Sequence, residues 1–148
     1  RYQTPSSVDD HVFYAGSGAG SSTELFRIRG NGNATLAGTL TQNSDMRLKK
    51  NIQPLSDIIS KINQVNGYSY NWKDENADPS LQIGLLAQEI QKVYPQLVKE
   101  NNGTMSVNYN GMVPVLLGAI KELKSENDQQ QKQIDELKQL VKQLIENK

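Results

Sequence analysis

The C-terminal part of the chain carries residues spaced alternately four and three positions apart, and this repeat constrains the fold more than any other feature. Its members, called the seam below, are Leu116, Ile120, Leu123, Asn127, Gln130, Ile134, Leu137, Val141 and Leu144. Such spacing is typical of the contact face of a coiled coil. A helix over residues 114–148 would be about 50 Å long, too long to be buried against a domain built from the rest of the chain. We therefore expect this helix to associate with copies of itself rather than to remain a solvated tail.

The number of strands in this coiled coil stays open on the repeat alone. Asn127 and Gln130 form two adjacent polar layers, which fix the register of the helices at a cost in stability. A buried asparagine often favours two strands, whereas apolar residues beside the seam, Leu140 and Ile145, suit the broader contact of three. The pattern therefore predicts self-association and leaves dimer and trimer as alternatives.

Residues 1–43 are rich in Gly, Ser, Thr and Asn and contain only short apolar runs, such as those around Phe13 and Phe26. These runs are typical of strands, and the sequence Gly30–Asn33 between two of them favours a tight turn. Strands this thin bury little surface alone. The segment is therefore either a disordered linker or the end of a β-structured fibre shaft whose core neighbouring chains complete, and we favour the shaft.

Residues 44–113 show the signals of a small α+β unit. Apolar spacing predicts a helix between Pro54 and Gly67, and alternating aromatic residues predict a strand over 68–72. A second helix over 87–94 should end at Pro95, and a hairpin should turn at 101–103. The predicted fold class is thus α+β: a β-rich fibre-end segment at 1–43, a small globular unit at 44–113 and a long helix at 114–148.

Composition excludes several functional classes. Lysine plus arginine and aspartate plus glutamate both total 16, with no long basic run, so we expect no nucleic-acid partner. The chain has no cysteine and one histidine, His11, so we expect no metal site and no cofactor. No stretch approaches the roughly 18 apolar residues of a membrane span, so we expect no membrane partner. Because the chain opens at Arg1 without a signal-peptide pattern, we expect it to be part of a longer protein.

Ser44 and Lys49 are the candidates for chemistry. A lysine acts as general base for serine when burial or neighbouring cations lower its pKa, and Arg47 and Lys50 lie close enough in sequence to contribute such repulsion. The spacing alone is not specific. On that evidence alone, a helix cap or turn at Ser44–Asp45 is the better interpretation.

A wider set of residues closely resembles the C-terminal intramolecular chaperone domains of phage endosialidase tailspikes, tail fibres and neck appendages, a domain that also occurs in eukaryotic myelin regulatory factors. The resemblance covers about 44–123, and its opening and its Gly-x-x-Ala-Gln-Glu element are specific. The residues that carry it are Ser44-Asp45-x-Arg47-Leu48-Lys49-x-Asn51-Ile52, Tyr68-x-Tyr70-x-Trp72, Gly84-Leu85-Leu86-Ala87-Gln88-Glu89-Ile90, Pro95, Val107-Asn108-Tyr109 and Ala119-Ile120-Lys121-Glu122-Leu123.

The resemblance implies a single-turnover serine endopeptidase that acts on its own chain. Its cleavage site would be the bond between Asn43 and Ser44, with Ser44 as nucleophile and Lys49 as base. Asp45 and Arg47 would support this dyad, and so would Gln88 and Glu89 unless they form a solvated helix face or a trimer contact.

The resemblance also implies a homotrimer whose substrate and client is its own upstream fibre domain. The parent would be a tail fibre or neck appendage of a virion, and the domain would act in the host cytoplasm during assembly and then be released. Two alternatives remain: a receptor-binding tip that stays attached, and a purely structural trimerisation foldon.

Overall fold

The computed structural model of this chain describes residues 9–16, 20, 22–30 and 32–147. Residues 1–8, 17–19 and 21 of the predicted shaft segment, Asn31 of the predicted turn and Lys148 at the predicted helix end lie outside the described residues. The described chain divides into two compact units. The first contains the residues up to Ile52 together with Ser69–Gln82, and the second contains Gln53–Tyr68 and the residues from Ile83 onward. The boundaries predicted at 43/44 and 113/114 stay predictions.

The first unit contains a three-stranded antiparallel sheet. Its strands are β1 Asp10–Ala15, β2 Thr23–Arg29 and β3 Ala34–Leu36, in the order β1-β2-β3. Phe13 pairs with Phe26, which pairs in turn with Leu36, and the two phenyl rings stack with centroids 5.8 Å apart. These three apolar side chains share one face of the sheet. Phe13 remains 57% exposed, so the sheet leaves apolar surface uncovered in the single chain.

The other face of this sheet carries an ion cluster. The Arg27 guanidinium pairs with the carboxylates of Asp10 and Glu24, one of them across the β1–β2 ladder. Hydrogen bonds from Arg27 hold the pKa of both carboxyl groups below their ordinary values. The strands expected around Phe13 and Phe26 are present as β1 and β2.

The remaining elements follow in order along the chain. A 3₁₀ turn at Met46–Leu48 precedes helix α1 Ile58–Ile62, strand β4 Gly67–Tyr70, strand β5 Gln82–Leu85 and helix α2 Ala87–Val93. A 3₁₀ turn at Pro95–Leu97, strands β6 Val98–Asn101 and β7 Thr104–Val107, a 3₁₀ turn at Tyr109–Gly111 and helix α3 Met112–Glu146 complete the chain. β4 with β5 and β6 with β7 form two-stranded sheets. The α+β class is therefore confirmed.

Two local predictions agree closely with the structure. Helix α2 ends one residue before Tyr94, and Pro95 begins the 3₁₀ turn that follows, because proline tolerates the first turn of a helix but not its interior. The β6–β7 hairpin turns at Asn102 and Gly103, which both have positive φ (50° and 77°). Two consecutive residues of this kind are typical of a type I′ hairpin turn.

Helix α1 is shorter than the sequence indicated. It has five residues instead of spanning Pro54 to Gly67, because Asp57 takes the left-handed conformation with φ 53° and starts the helix at Ile58. Leu55 consequently lies outside the helix and is exposed, and Gly67 begins strand β4 rather than ending a helix.

The second unit has a small apolar core where α1, α2 and the start of α3 meet. Its buried members are Ile58, Ile90, Tyr94, Met112, Val115 and Ala119. Helix α3 passes over this core with its first turns only. Its 35 residues give a length of about 52 Å, and every described residue from Leu123 onward is exposed. The long helix is therefore confirmed, while its coiled-coil partner stays a prediction.

Candidate functional site

Ser44 and Lys49 are in direct contact. The Lys49 ammonium donates a hydrogen bond to the Ser44 hydroxyl oxygen, with Nζ and Oγ 2.7 Å apart. The 3₁₀ turn at Met46–Leu48 lies between them and shortens the path of the chain, so that two side chains five positions apart meet. The structure therefore brings together the two residues that the sequence put forward for catalysis.

A second serine-lysine pair with the same spacing shows that this contact is not a result of spacing alone. Lys61 follows Ser56 by five residues, but its ammonium donates to the Ser56 backbone carbonyl at 3.1 Å. The Ser56 hydroxyl is not the acceptor in that bond. The local fold around Ser44 is therefore what aims the lysine at the hydroxyl.

Asp45 and Arg47 form the turn between the two members of the dyad. The Asp45 carboxylate accepts from the Arg47 backbone N–H at 2.9 Å and from the Arg47 guanidinium at 2.6 Å through Nη2. These bonds from Arg47 lower the pKa of the Asp45 carboxyl. The Arg47 guanidinium is thus partnered by a carboxylate, which offsets the positive charge that Lys49 experiences from it.

The predicted cleavage site, Asn43 and Ser44, lies in exposed backbone outside any helix or strand. All residues from 41 to 57 are exposed in the single chain. Cleavage at this bond stays a prediction, and so does the catalytic role of each dyad member.

Gln88 and Glu89, the other two predicted support residues, lie on helix α2 in the second unit, whereas the dyad belongs to the first. Gln88 is exposed. The Glu89 carboxylate accepts from the Tyr68 hydroxyl at 2.5 Å and from the Asn66 backbone N–H at 2.9 Å. The Tyr68 bond is the main reason that the pKa of Glu89 is lowered. Glu89 thus fastens the entry of strand β4 to helix α2, and its support of the dyad stays a prediction.

Three residues of the quoted pattern have structural roles that the sequence did not reveal. The Asn108 side chain accepts from the Gly111 backbone N–H at 3.1 Å and caps the last 3₁₀ turn. The Tyr109 hydroxyl accepts from the Leu85 backbone N–H at 3.0 Å. The Glu122 carboxylate, on α3, accepts from the first backbone N–H groups of α1. The one sequence feature that could have indicated these roles is that all three residues are polar and lie inside the segments that carry the resemblance.

The seam residues follow one face of α3, and the apolar residues of the seam are exposed along the whole length of the helix.

Among the described residues, no helix has the length and apolar content to cross a membrane. In the same ranges, no group of three or more His, Asp or Glu side chains is arranged to hold a metal ion.

Comparison with known proteins matches residues 44–99 to the family model described as chaperone of endosialidase. The Long tail fiber protein Gp37 of Salmonella phage S16 is 35% identical over an alignment 146 positions long, and the match covers 84% of this chain and 20% of that protein. The Long tail fiber protein Gp37 of Escherichia phage AR1 is 33% identical over an alignment 87 positions long, and the match covers 53% of this chain and 8% of that protein. The chain thus spans a fifth or less of the length of these relatives.

Proposed function

Since residues 44–99 of this chain match the chaperone of endosialidase family, we propose that it assembles a phage tail fibre as a homotrimer and then releases itself by cutting the Asn43–Ser44 bond. The observation that carries the proposal is the 2.7 Å contact between the Lys49 Nζ and the Ser44 Oγ. The tail fibre similarity supports a virion tail as the location of the parent protein. Cleavage would be a single event for each chain.

The chemistry starts from the Ser44 hydroxyl. Neutral Lys49 accepts the hydroxyl proton while the Ser44 oxygen attacks the carbonyl carbon of Asn43. The C–N bond then breaks, Lys49 returns the proton to the leaving nitrogen, and Asn43 is held to Ser44 as an ester. Water hydrolyses this ester, which leaves a carboxylate on Asn43 and a free amino group on Ser44. Atoms balance with one water molecule consumed for each bond cut.

This mechanism requires a change from the state of the single chain. There the Lys49 ammonium donates to the serine, whereas catalysis requires a neutral amine that accepts. Burial favours the neutral form of a lysine because an apolar environment disfavours the charge. The segment 41–57 is exposed in one chain, so association with other copies is the step that would bury the dyad.

The exposed seam supports association. Leu123, Ile134 and Leu137 are 45–61% exposed on a helix that no other part of the described chain covers there. In a parallel coiled coil, Leu140 of one helix lies beside Ile145 of the next, because these positions flank the seam at matching levels. An apolar pair at these positions widens the buried strip and favours three helices over two.

The upstream sheet supports the chaperone role. Its Phe13–Phe26–Leu36 row has apolar surface left uncovered by its own chain, as expected of a shaft whose core is shared between copies. Such a shaft loses much chain entropy before any contact stabilises it. Joining three chains through α3 first raises the local concentration of the shaft segments and aligns them. Cleavage afterwards removes the reverse route and leaves a kinetically trapped fibre.

Intact-mass spectrometry of the purified chain beside Ser44→Ala and Lys49→Ala tests the proposal. We expect two fragments that join at Asn43 and Ser44 in the wild type, and a whole chain in both variants. Ser56→Ala is the matched control, because Ser56 has a lysine at the same spacing, and it should be cut like the wild type. A wild-type chain that stays whole after native folding would refute self-cleavage and favour an attached receptor-binding tip or a foldon.

The dependence on assembly has its own test. Asp substitutions at Ile134 and Leu137 place charges in the seam, whereas the same substitutions at Lys132 and Gln139 lie outside it. We expect the seam variant to sediment as a monomer and to stay whole, and the control to sediment as a trimer and to be cut. Equal cleavage in a monomeric seam variant would refute the requirement for assembly.

A further inference from the structure

The path of the chain between Ser44 and Lys49 depends on one short turn. The Leu48 backbone N–H donates to the Asp45 carbonyl at 3.1 Å, and the Lys49 backbone N–H donates to the Met46 carbonyl at 3.0 Å. In extended form, five residues would separate the two ends by about 17 Å. The turn therefore decides whether the lysine side chain reaches the serine.

The Asp45 side chain supplies the remaining hydrogen bonds of this turn. Its Oδ1 accepts from the Arg47 backbone N–H at 2.9 Å, which caps the start of the turn. The Arg47 guanidinium donates to the same carboxylate from Nε at 3.1 Å and from Nη2 at 2.6 Å. One carboxylate thus fixes both the backbone and the side chain two positions on.

No core packing assists the turn in the single chain. Met46 and Leu48 are each 72% exposed, and the Arg47 side chain is 85% exposed. A 3₁₀ turn is a weak element, because its hydrogen bonds have poorer geometry than those of an α-helix. Since packing contributes little, the turn depends on the hydrogen bonds that the Asp45 carboxylate accepts from Arg47.

We propose that Asp45 is a positioning residue for cleavage: by capping the Met46–Leu48 turn, it holds Lys49 within reach of the Ser44 hydroxyl. This inference rests on the proposed self-cleavage. Asp45 itself does not touch the reacting atoms in this account. Its effect passes through the backbone of the turn.

Three substitutions separate the cap from the ion pair. Asp45→Ala removes both, and we expect cleavage about tenfold slower, because the dyad is formed less of the time. Asp45→Asn keeps an oxygen that accepts from the Arg47 backbone N–H, and we expect a rate within about threefold of the wild type. Arg47→Ala keeps the backbone donor and loses the guanidinium, so we expect a similarly small change.

The measurement is a time course of intact mass for the full chain over a series of pH values. A positioning role lowers the maximal rate of Asp45→Ala and leaves the midpoint of its pH profile unchanged. An effect of the carboxylate charge on Lys49 would instead move the midpoint to lower pH, because losing a nearby negative charge disfavours the ammonium. Such a shift, shared by Asp45→Asn, would overturn the inference.

Asp78→Ala is the matched control, because Asp78 accepts from the Ser80 backbone N–H at 2.9 Å in the same two-residue pattern, 33 positions further along the chain than Asp45. We expect it to be cut at the wild-type rate. Asp45→Ala cut as fast as the wild type would overturn the inference alone, whereas an uncut wild type would overturn the proposed function and the inference with it. If Asp45→Ala does not assemble, Asp45→Asn decides: a rate near the wild type supports the inference, and a tenfold loss refutes it.

Discussion

Replacing Glu122 by alanine should destabilise the second unit by releasing the start of helix α1. The Glu122 carboxylate accepts from the Ile58 backbone N–H at 3.1 Å and from the Ile59 backbone N–H at 2.9 Å. Asp57, the residue at the N-cap position of α1, makes no side-chain capping bond. Glu122 therefore caps α1 from a position 64 residues further along the chain.

The cost follows from the two donors. Losing an N-cap costs about 0.5–2 kcal/mol, and a buried N–H left without an acceptor costs about 1–3 kcal/mol. The Ile58 residue is 2% exposed, so water replaces the lost acceptor poorly. We expect the free energy of unfolding of the Glu122→Ala variant to fall by about 2 kcal/mol and its Tm by about 10 °C. Glu122→Gln keeps one acceptor oxygen and should lose about half as much.

The assay combines thermal unfolding at a fixed protein concentration with hydrogen exchange of peptides that cover residues 58–62. Faster exchange at α1 should accompany the lower Tm. Glu126→Ala is the matched control, because it removes the same charge one turn further along an exposed part of the same helix. A Glu122→Ala variant with unchanged exchange at α1, melting together with the Glu126→Ala control, would show that the cap does not hold the unit together.

Three further changes should have measurable effects. At Gly118, an added Cβ would overlap the Ile58 Cδ1. Gly118→Ala should therefore lower the free energy of unfolding by about 1–2 kcal/mol despite the better helix propensity of alanine, and a denaturant melt would show it. A hydrogen bond from Tyr68 lowers the pKa of Glu89 from 4.5, so the stabilising contribution of Glu89 is fully present above that pH and is lost as the pH falls through the folded-state pKa. The Tm difference between the wild type and Glu89→Gln should therefore narrow in an acid series below pH 4.5, and a constant difference would contradict it. Asn127→Ile should raise the Tm of the proposed coiled coil and make its number of helices less specific, which sedimentation would detect as mixed species.

The sequence predicted the elements whose signals are local. Pro95 ended α2, the pair Asn102 and Gly103 turned the hairpin, and the seam spacing marked the long helix. Each of these signals acts on backbone within a few residues, so no knowledge of the tertiary fold was needed. The helix expected between Pro54 and Gly67 is shorter than predicted. The apolar spacing that predicted it includes Leu55, but the left-handed backbone at Asp57 prevents the helix from starting before Ile58.

The long-range hydrogen bonds that hold the second unit together could not be predicted from local sequence patterns. The cap on α1 comes from Glu122 and the anchor of Leu85 comes from the Tyr109 hydroxyl, 24 residues away. Such partners are chosen by the fold and not by spacing. The candidate site was more predictable from the sequence. Its two proposed catalytic residues, Ser44 and Lys49, lie on either side of one short turn, and the sequence identified both. The geometry that distinguishes it from the Ser56–Lys61 pair still required the structure.

Helix α3 separates its two sets of contacts by face. Its contacts with its own chain come from one side, at Met112, Val115, Gly118, Ala119 and Glu122. The seam residues Leu116, Ile120 and Leu123 project from another side and are exposed. Because the two sets lie on different faces of a 3.6-residue helix, copies of the chain can associate through the seam without displacing the core contacts of the unit. Under the proposed function, assembly would then add contacts to a unit that is already folded, as a domain that aligns the upstream fibre segments of its own chains requires.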